Sequence, residues 1–171
     1  MKGIMKMRAR TKSVISIFIL GLGFSLSGQA KDLTHRLGIG FKNNVSQSLP
    51  SLAAIYYPTK DMALTGGVGV DTQKDHSMFQ VNVGGRYIIY PETNLNFFIG
   101  TQVGVISYED QAATKQNGLE LAGVFGTEFF FTGLENLGFT FEAGVALSTA
   151  NSSRFRTVGD DPFKAGVIFY F

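Results

Sequence analysis

Chemistry in this chain has three candidate carriers. The first is a set of charges, Arg36, Lys42, Asp71, Arg86, Glu120, Glu128, Glu142 and Lys164, spaced so that extended segments turn them to a common interior. They divide into cations and carboxylates that must pair there, because a lone buried ion costs several kcal/mol. The second is Asp75-His76-Ser77, which holds the residue types of an activated nucleophile. Consecutive residues on an extended chain point in alternate directions, so the three converge only in a special loop shape, and a solvated polar loop is the plainer reading. The third is Arg154-Phe155-Arg156, two guanidinium groups suited to phosphate oxygens on either side of a ring suited to an apolar surface, with Asp160 and Asp161 nearby to balance them. The two histidines, His35 and His76, are far apart, no metal-ligand cluster is spelled out, and the glycines recur at strand spacing rather than in a phosphate loop, so no cofactor is expected.

The elements that must position these residues are strands. Alternating segments between turn signals fall at about 33–42, 51–57, 62–71, 78–90, 94–108, 118–131, 137–149 and 163–171. Most have the roughly 9–11 residues that a tilted membrane strand requires. The connections at 58–61, 91–93 and 132–136 are tight, whereas 43–50, 72–77, 109–117 and 150–162 are mostly longer and polar, the asymmetry of periplasmic turns and external loops. Phe79, Val81, Val83, Tyr87 and Ile89 share one face of the fourth segment, opposite Gln80, Asn82 and Arg86; Leu95, Phe97, Ile99, Val103 and Val105 do the same in the fifth. No acidic or basic residue falls on the apolar face, where a cation at mid-bilayer would cost about 2–4 kcal/mol. The phase of 51–57 is ambiguous. Tyr56, Tyr57, Tyr87, Tyr90, Phe97, Phe129, Phe131, Phe139, Tyr170 and Phe171 are expected in an interfacial girdle at one end, with Phe41, Phe79, Tyr108 and Phe163 at the other. The fold class is therefore all-β: an eight-stranded, antiparallel, up-and-down transmembrane β-barrel, monomeric.

The N-terminal segment to Lys12 is basic and free of acids, an apolar run follows to Leu26, and Gly28 and Ala30 suit a small-x-small cleavage site. Residues 1–30 are expected to be a cleavable signal peptide and 31–171 the barrel domain. Five of the 15 basic residues and none of the 13 acids lie in the first segment, which leaves ten against 13, a net charge of −3, and no basis for nucleic-acid binding. Cysteine is absent, so stability must come from packing and a closed hydrogen-bond network.

The final residues alternate strictly, and Lys164, Gly166, Phe169 and Phe171 resemble the C-terminal assembly signal of bacterial outer-membrane barrels. Together with the strand pattern, this ending makes the chain resemble the small barrels of the OmpA transmembrane-domain and OmpX type. The resemblance implies residence in a Gram-negative outer membrane with both termini periplasmic, contact with lipid and lipopolysaccharide, and handling by periplasmic chaperones and the barrel-assembly machinery.

Eight strands enclose only enough room for side chains, so the lumen is expected to be a plug. Arg36, Arg86, Glu128 and Glu142 are expected in a layer toward the periplasm, and Lys42, Asp71, Glu120 and Lys164 toward the outer mouth. Glu128 and Glu142 stand near each other across a tight turn and need a cation between them, for which Arg86 and Arg36 are the candidates. The network resembles the lumen ion pairs of OmpA-type barrels. A structural or surface-interaction role without catalysis is expected, with a narrow pore for small solutes as the alternative. A lipid A-modifying enzyme is a weaker one, since the chain lacks the His-x-Ser pairing of the deacylases and the amphipathic helix of the palmitoyltransferase. Arg154, Phe155 and Arg156 are the candidate lipopolysaccharide contact.

Overall fold

The computed structural model describes residues 31–44, 49–74, 76–109, 114–150, 152–157 and 164–171. The expected signal segment, Asp75, Asp160, Asp161 and Phe163 lie outside them. Among the described residues the regular structure is all strand: β1 (Leu37–Asn43), β2 (Pro50–Tyr56), β3 (Met62–Asp71), β4 (Met78–Glu92), β5 (Leu95–Glu109), β6 (Lys115–Phe130), β7 (Leu137–Ser148), β8 (Arg154–Thr157) and β9 (Lys164–Tyr170). Alternation of apolar and polar residues, with few residues that break a ladder, makes extended pairing the state that separates the two kinds.

Each strand pairs antiparallel with its sequence neighbour from β1 to β7, and β9 bridges β7 and β1, which closes the barrel. The register gives its stagger. From Gly66 the ladder runs through Val83, Val103 and Leu121 to Leu147, and in the other direction through Ala54, Ile39 and Phe169 to Leu137. The two routes meet β7 at positions 147 and 137, a shear of 147 − 137 = 10 residues. Such a stagger forces the strands to tilt and sets the small bore. We call the mouth carrying Leu37 and Tyr170 the lower one.

Three departures from the expected strand boundaries have physical causes. Residues 33–36 do not extend β1: His35 adopts a left-handed conformation (φ 62°), its amide donates to the Tyr57 carbonyl at 2.7 Å, and Leu33 turns into the barrel. In β4 the register slips between Ile88 and Tyr90, so the strand runs on through Pro91, and Ile89 and Tyr90 are both exposed. The last wall comes in two pieces, because β9 pairs with the lower half of β7 and β8, inside the expected fourth loop, pairs with its upper half.

Burial separates the two faces. The outer belt includes Leu64, Val68, Val83, Ile99, Val103, Leu121, Phe125, Val145, Val167 and Phe169, all exposed although apolar. An uninterrupted exposed apolar surface of this extent suits hydrocarbon as its solvent. In β2, Ser51, Ala53 and Ile55 face inward and Leu52, Ala54 and Tyr56 outward, which resolves the ambiguous phase. The lower outer rim is aromatic, with Phe129 against Phe131 at 5.0 Å and Phe139 at 5.3 Å, and Phe169 against Phe171 at 5.1 Å. Tyr57 and Tyr170 do not belong to that girdle: both are buried inside the barrel, where their hydroxyls have a partner.

Candidate functional site

The lumen is the candidate site, and its centre is the Glu128 carboxylate. Strand alternation places Glu128 on the inner face of β6, completely buried, where an ionised carboxylate must be surrounded by donors. Tyr57 donates to Oε2 at 2.7 Å, and Tyr170 donates to Oε1. Arg86 of β4 supplies the cation: Nη1 lies 3.6 Å from Oε1 of Glu128, and Nη2 lies 3.9 Å from Oε1 of Glu142. These are ion pairs without hydrogen-bond geometry. Neither terminal nitrogen of Arg86 has a hydrogen-bond partner among the described residues. The guanidinium is instead held over the Phe98 ring, 4.4 Å from its centroid, a second electrostatic contact free of donor geometry.

Glu142 joins this centre to the far side. Lys42 of β1 donates to both of its oxygens, at 3.0 and 2.8 Å. A chain of alternating charge therefore runs Glu128, Arg86, Glu142, Lys42 across the bore. Lys164 is buried on β9 directly opposite Glu142 in register.

The expected sorting into two layers requires correction. Lys42, assigned to the outer layer, pairs with Glu142 of the inner one, because strand tilt brings the two positions together. Arg36 does not reach Glu128: it lies at the lower rim, where its Nη1 donates to Asn136 at 2.8 Å. Asp71 is exposed, and its carboxylate accepts from the Gln73 amide at 3.0 Å. Glu120 sits apart in the upper half, accepting from Gln80 Nε2 at 3.4 Å, with Arg156 within electrostatic reach.

Apolar side chains pack around this centre, while Gln80, Asn82 and Gln102 bury polar side chains on the inner faces of β4 and β5. Leu33, Ile55, Tyr57, Ile88, Phe98, Phe130, Ile168 and Tyr170 form one buried cluster with the small residues around them. Inward glycines are where this packing fits. A methyl group at Gly38 would lie 2.5 Å from the Tyr170 ring, and at Gly126 2.6 Å from the Phe98 ring. At these two positions glycine makes room for a ring from the neighbouring strand.

The segment before β1 closes the lower mouth. Leu33 is buried in the lumen cluster, the Thr34 amide donates to Asp32 at 2.9 Å, and the Arg36 amide donates back to the Leu33 carbonyl at 2.9 Å. The hydroxyl and amide of Thr34 hold the Asp32 carboxyl below the usual carboxylate range. Lys31 lies over the Phe130 ring at 5.2 Å and pairs with Glu135 at 3.2 Å. Leu33 and the two inward tyrosines were not picked out from the sequence, although the parity of strand 163–171 already turned Tyr170 inward.

Among the described residues the remaining candidates lie apart, and Asp75 is outside them. His76 is exposed on the β3–β4 connection and Ser77 donates its amide to Glu109 at 3.3 Å, while His35 lies at the opposite mouth. No group of three metal-ligating side chains occurs among the described residues. In β8, Phe155 faces outward and is strongly exposed, whereas Arg156, partly buried, falls on the inner parity opposite Ala146.

A closed up-and-down barrel with an apolar outer belt defines the fold class: an all-β, eight-stranded, antiparallel barrel, the architecture that small OmpA-type barrels share. Among solved structures, the N-terminal β-barrel domain of Pseudomonas aeruginosa OprF is similar over 81% of this chain and 98% of that one, at 15% identity and a TM-score of 0.59. At that identity the likeness speaks for the fold. No protein-family model and no curated protein sequence matches the chain.

Proposed function

We propose that this protein is a non-catalytic outer-membrane barrel with a structural or surface-interaction role and a plugged lumen, delivered by a signal peptide and inserted with both ends of the barrel domain in the periplasm. The filled interior carries this reading. The lower half is occupied by the Leu33, Tyr57, Phe98, Phe130 and Tyr170 side chains, and the charges that cross the bore are paired with each other rather than presented to a passing ion. Periplasmic chaperones and the barrel-assembly machinery are the partners during biogenesis, with Lys164, Gly166, Phe169 and Phe171 as the recognised ending. Lipid surrounds the finished monomer, and Phe155 with Arg154 is the lipopolysaccharide contact, the ring turned outward and the guanidinium exposed beside it.

Planar-bilayer recording of the purified, refolded protein tests the plug. No sustained single-channel current is expected, and stable conductance steps in the wild-type protein would favour the narrow pore. Arg86→Met should lower stability sharply or open a conductance, because it strips the cation from between two carboxylates.

A further inference from the structure

The β1–β9 ladder is the seam at which the barrel closes, and it is the least local pairing in the fold. Gly38 meets Tyr170, 170 − 38 = 132 residues further on, whereas the other ladders join strands close in sequence. It is also short, and β1 brings two glycines, Gly38 and Gly40, into it, residues that weaken a strand interior. We propose that residues 31–36 are a clasp across this seam, whose release from the lower mouth lets the seam part while the rest of the wall stays paired. The inference rests on the closed barrel and not on the membrane reading.

The segment is gripped on both sides of the seam. On the β1 side it continues the pairing with β2, the His35 amide donating to the Tyr57 carbonyl at 2.7 Å and the Tyr57 amide to the Arg36 carbonyl at 3.2 Å. Beyond β9 it reaches the turn between β6 and β7, where Lys31 Nζ donates to Glu135 at 3.2 Å and Arg36 Nη1 to the Asn136 side chain at 2.8 Å. Asn136 also holds the end of β9, because its carbonyl accepts from the Tyr170 amide at 2.8 Å. One residue therefore fastens the last strand by its backbone and the segment before the first strand by its side chain. Between the grips Leu33 is buried in the cluster that holds Tyr170 of β9, Tyr57 and Phe130. Parting β1 from β9 carries Tyr170 and the β6–β7 turn away from Leu33, Lys31 and Arg36, so the seam cannot open at its lower end without breaking these contacts.

Native-state amide exchange of the purified, refolded protein, read by mass spectrometry, tests the clasp. The seam amides, at 38–42 and 166–171, should exchange faster than those of the β4–β5 ladder, because they open without global unfolding. Leu33→Ala should raise exchange at His35 and in the seam together, by at least about 30-fold. Arg36→Ala, the milder variant should Leu33→Ala not fold, should raise both by about fivefold. A rise at His35 with an unchanged seam would overturn the clasp, and so would a seam no faster than β4–β5. A disulfide identifies the route. Ile39 and Phe169 are outward-facing register partners in a chain without cysteine, so Ile39→Cys with Phe169→Cys puts one bond across the seam at the spacing of antiparallel partners. Oxidation should slow the seam amides to the β4–β5 rate, and reduction should restore the difference. A locked seam that still exchanges faster than β4–β5 would show fraying rather than parting and would overturn the proposal.

Discussion

Tyr170, the last inward residue of β9, donates its hydroxyl to Glu128 on β6. The two strands are not neighbours, because β7 lies between them. The bond therefore ties the strand that closes the barrel to the charge at its centre, and with the Tyr57 hydroxyl on the other oxygen it gives a buried carboxylate a donor at each end. A hydrogen bond to a charged group contributes about 1.5–3 kcal/mol, well above a neutral one.

Tyr170→Phe keeps the ring against Phe130, 5.9 Å between centroids, and deletes only the donor. We expect a loss of about 1.5–3 kcal/mol by urea unfolding in lipid vesicles, and the same for Tyr57→Phe. The double variant should lose more than the sum, since Glu128 would keep only the distant Arg86 contact. Simple additivity would show that the two hydroxyls are not coupled through the carboxylate.

An inward glycine, Gly126, and an outward one, Gly85 on the parity of Val83 and Tyr87, make a paired prediction. A methyl group at Gly126 would meet the Phe98 ring and the Phe141 carbonyl, each at 2.6 Å, whereas at Gly85 the nearest atom is the Ala63 carbonyl at 3.6 Å. Gly126→Ala should destabilise by about 1–3 kcal/mol through overpacking, and Gly85→Ala should be near neutral. Comparable effects at both sites in the same unfolding assay would contradict a filled lumen.

Strand number, the inward parity of Arg86, Glu128 and Glu142, and the apolar belt were legible because side-chain direction in a strand has a period of two and lipid tolerates no charge on the outer set. Which charges meet was not legible. Pairing between Lys42 and Glu142 depends on the tilt and on a ten-residue stagger, seen only after the ladder closes from position 137 to position 147 of β7. Leu33 escaped for another reason. Its burial follows from the left-handed turn at His35, a conformation uncommon for any non-glycine residue and so not the one a strand pattern leads to expect, although histidine enters it more readily than most. Tyr57 and Tyr170 look like girdle tyrosines by composition, and only their partner Glu128 shows otherwise.

Leu33 is predicted to hold the segment before β1 in the lower mouth. Leu33→Ala should cost about 2–5 kcal/mol, the range for emptying a buried leucine site. Amide exchange at His35, whose N–H is bonded to the Tyr57 carbonyl, should rise with it, because that bond depends on the docked turn. Unchanged exchange would mean that the turn holds without its anchor.

The lipid-facing role of the belt is open to a single substitution. Val103 is half exposed and lies in the ladder between Val83 and Leu121, near the middle of the outer face. In a water-soluble barrel Val103→Arg would change stability by no more than about 0.5 kcal/mol, since a surface substitution away from special features does little. In a bilayer the guanidinium would stand at mid-depth and cost about 2–4 kcal/mol. Thr132→Arg, on the exposed β6–β7 turn, introduces the same group below the belt and serves as the control. Unfolding in lipid vesicles should therefore separate the two variants by at least about 2 kcal/mol. Equal stabilities would mean that the exposed apolar face is covered by something other than hydrocarbon.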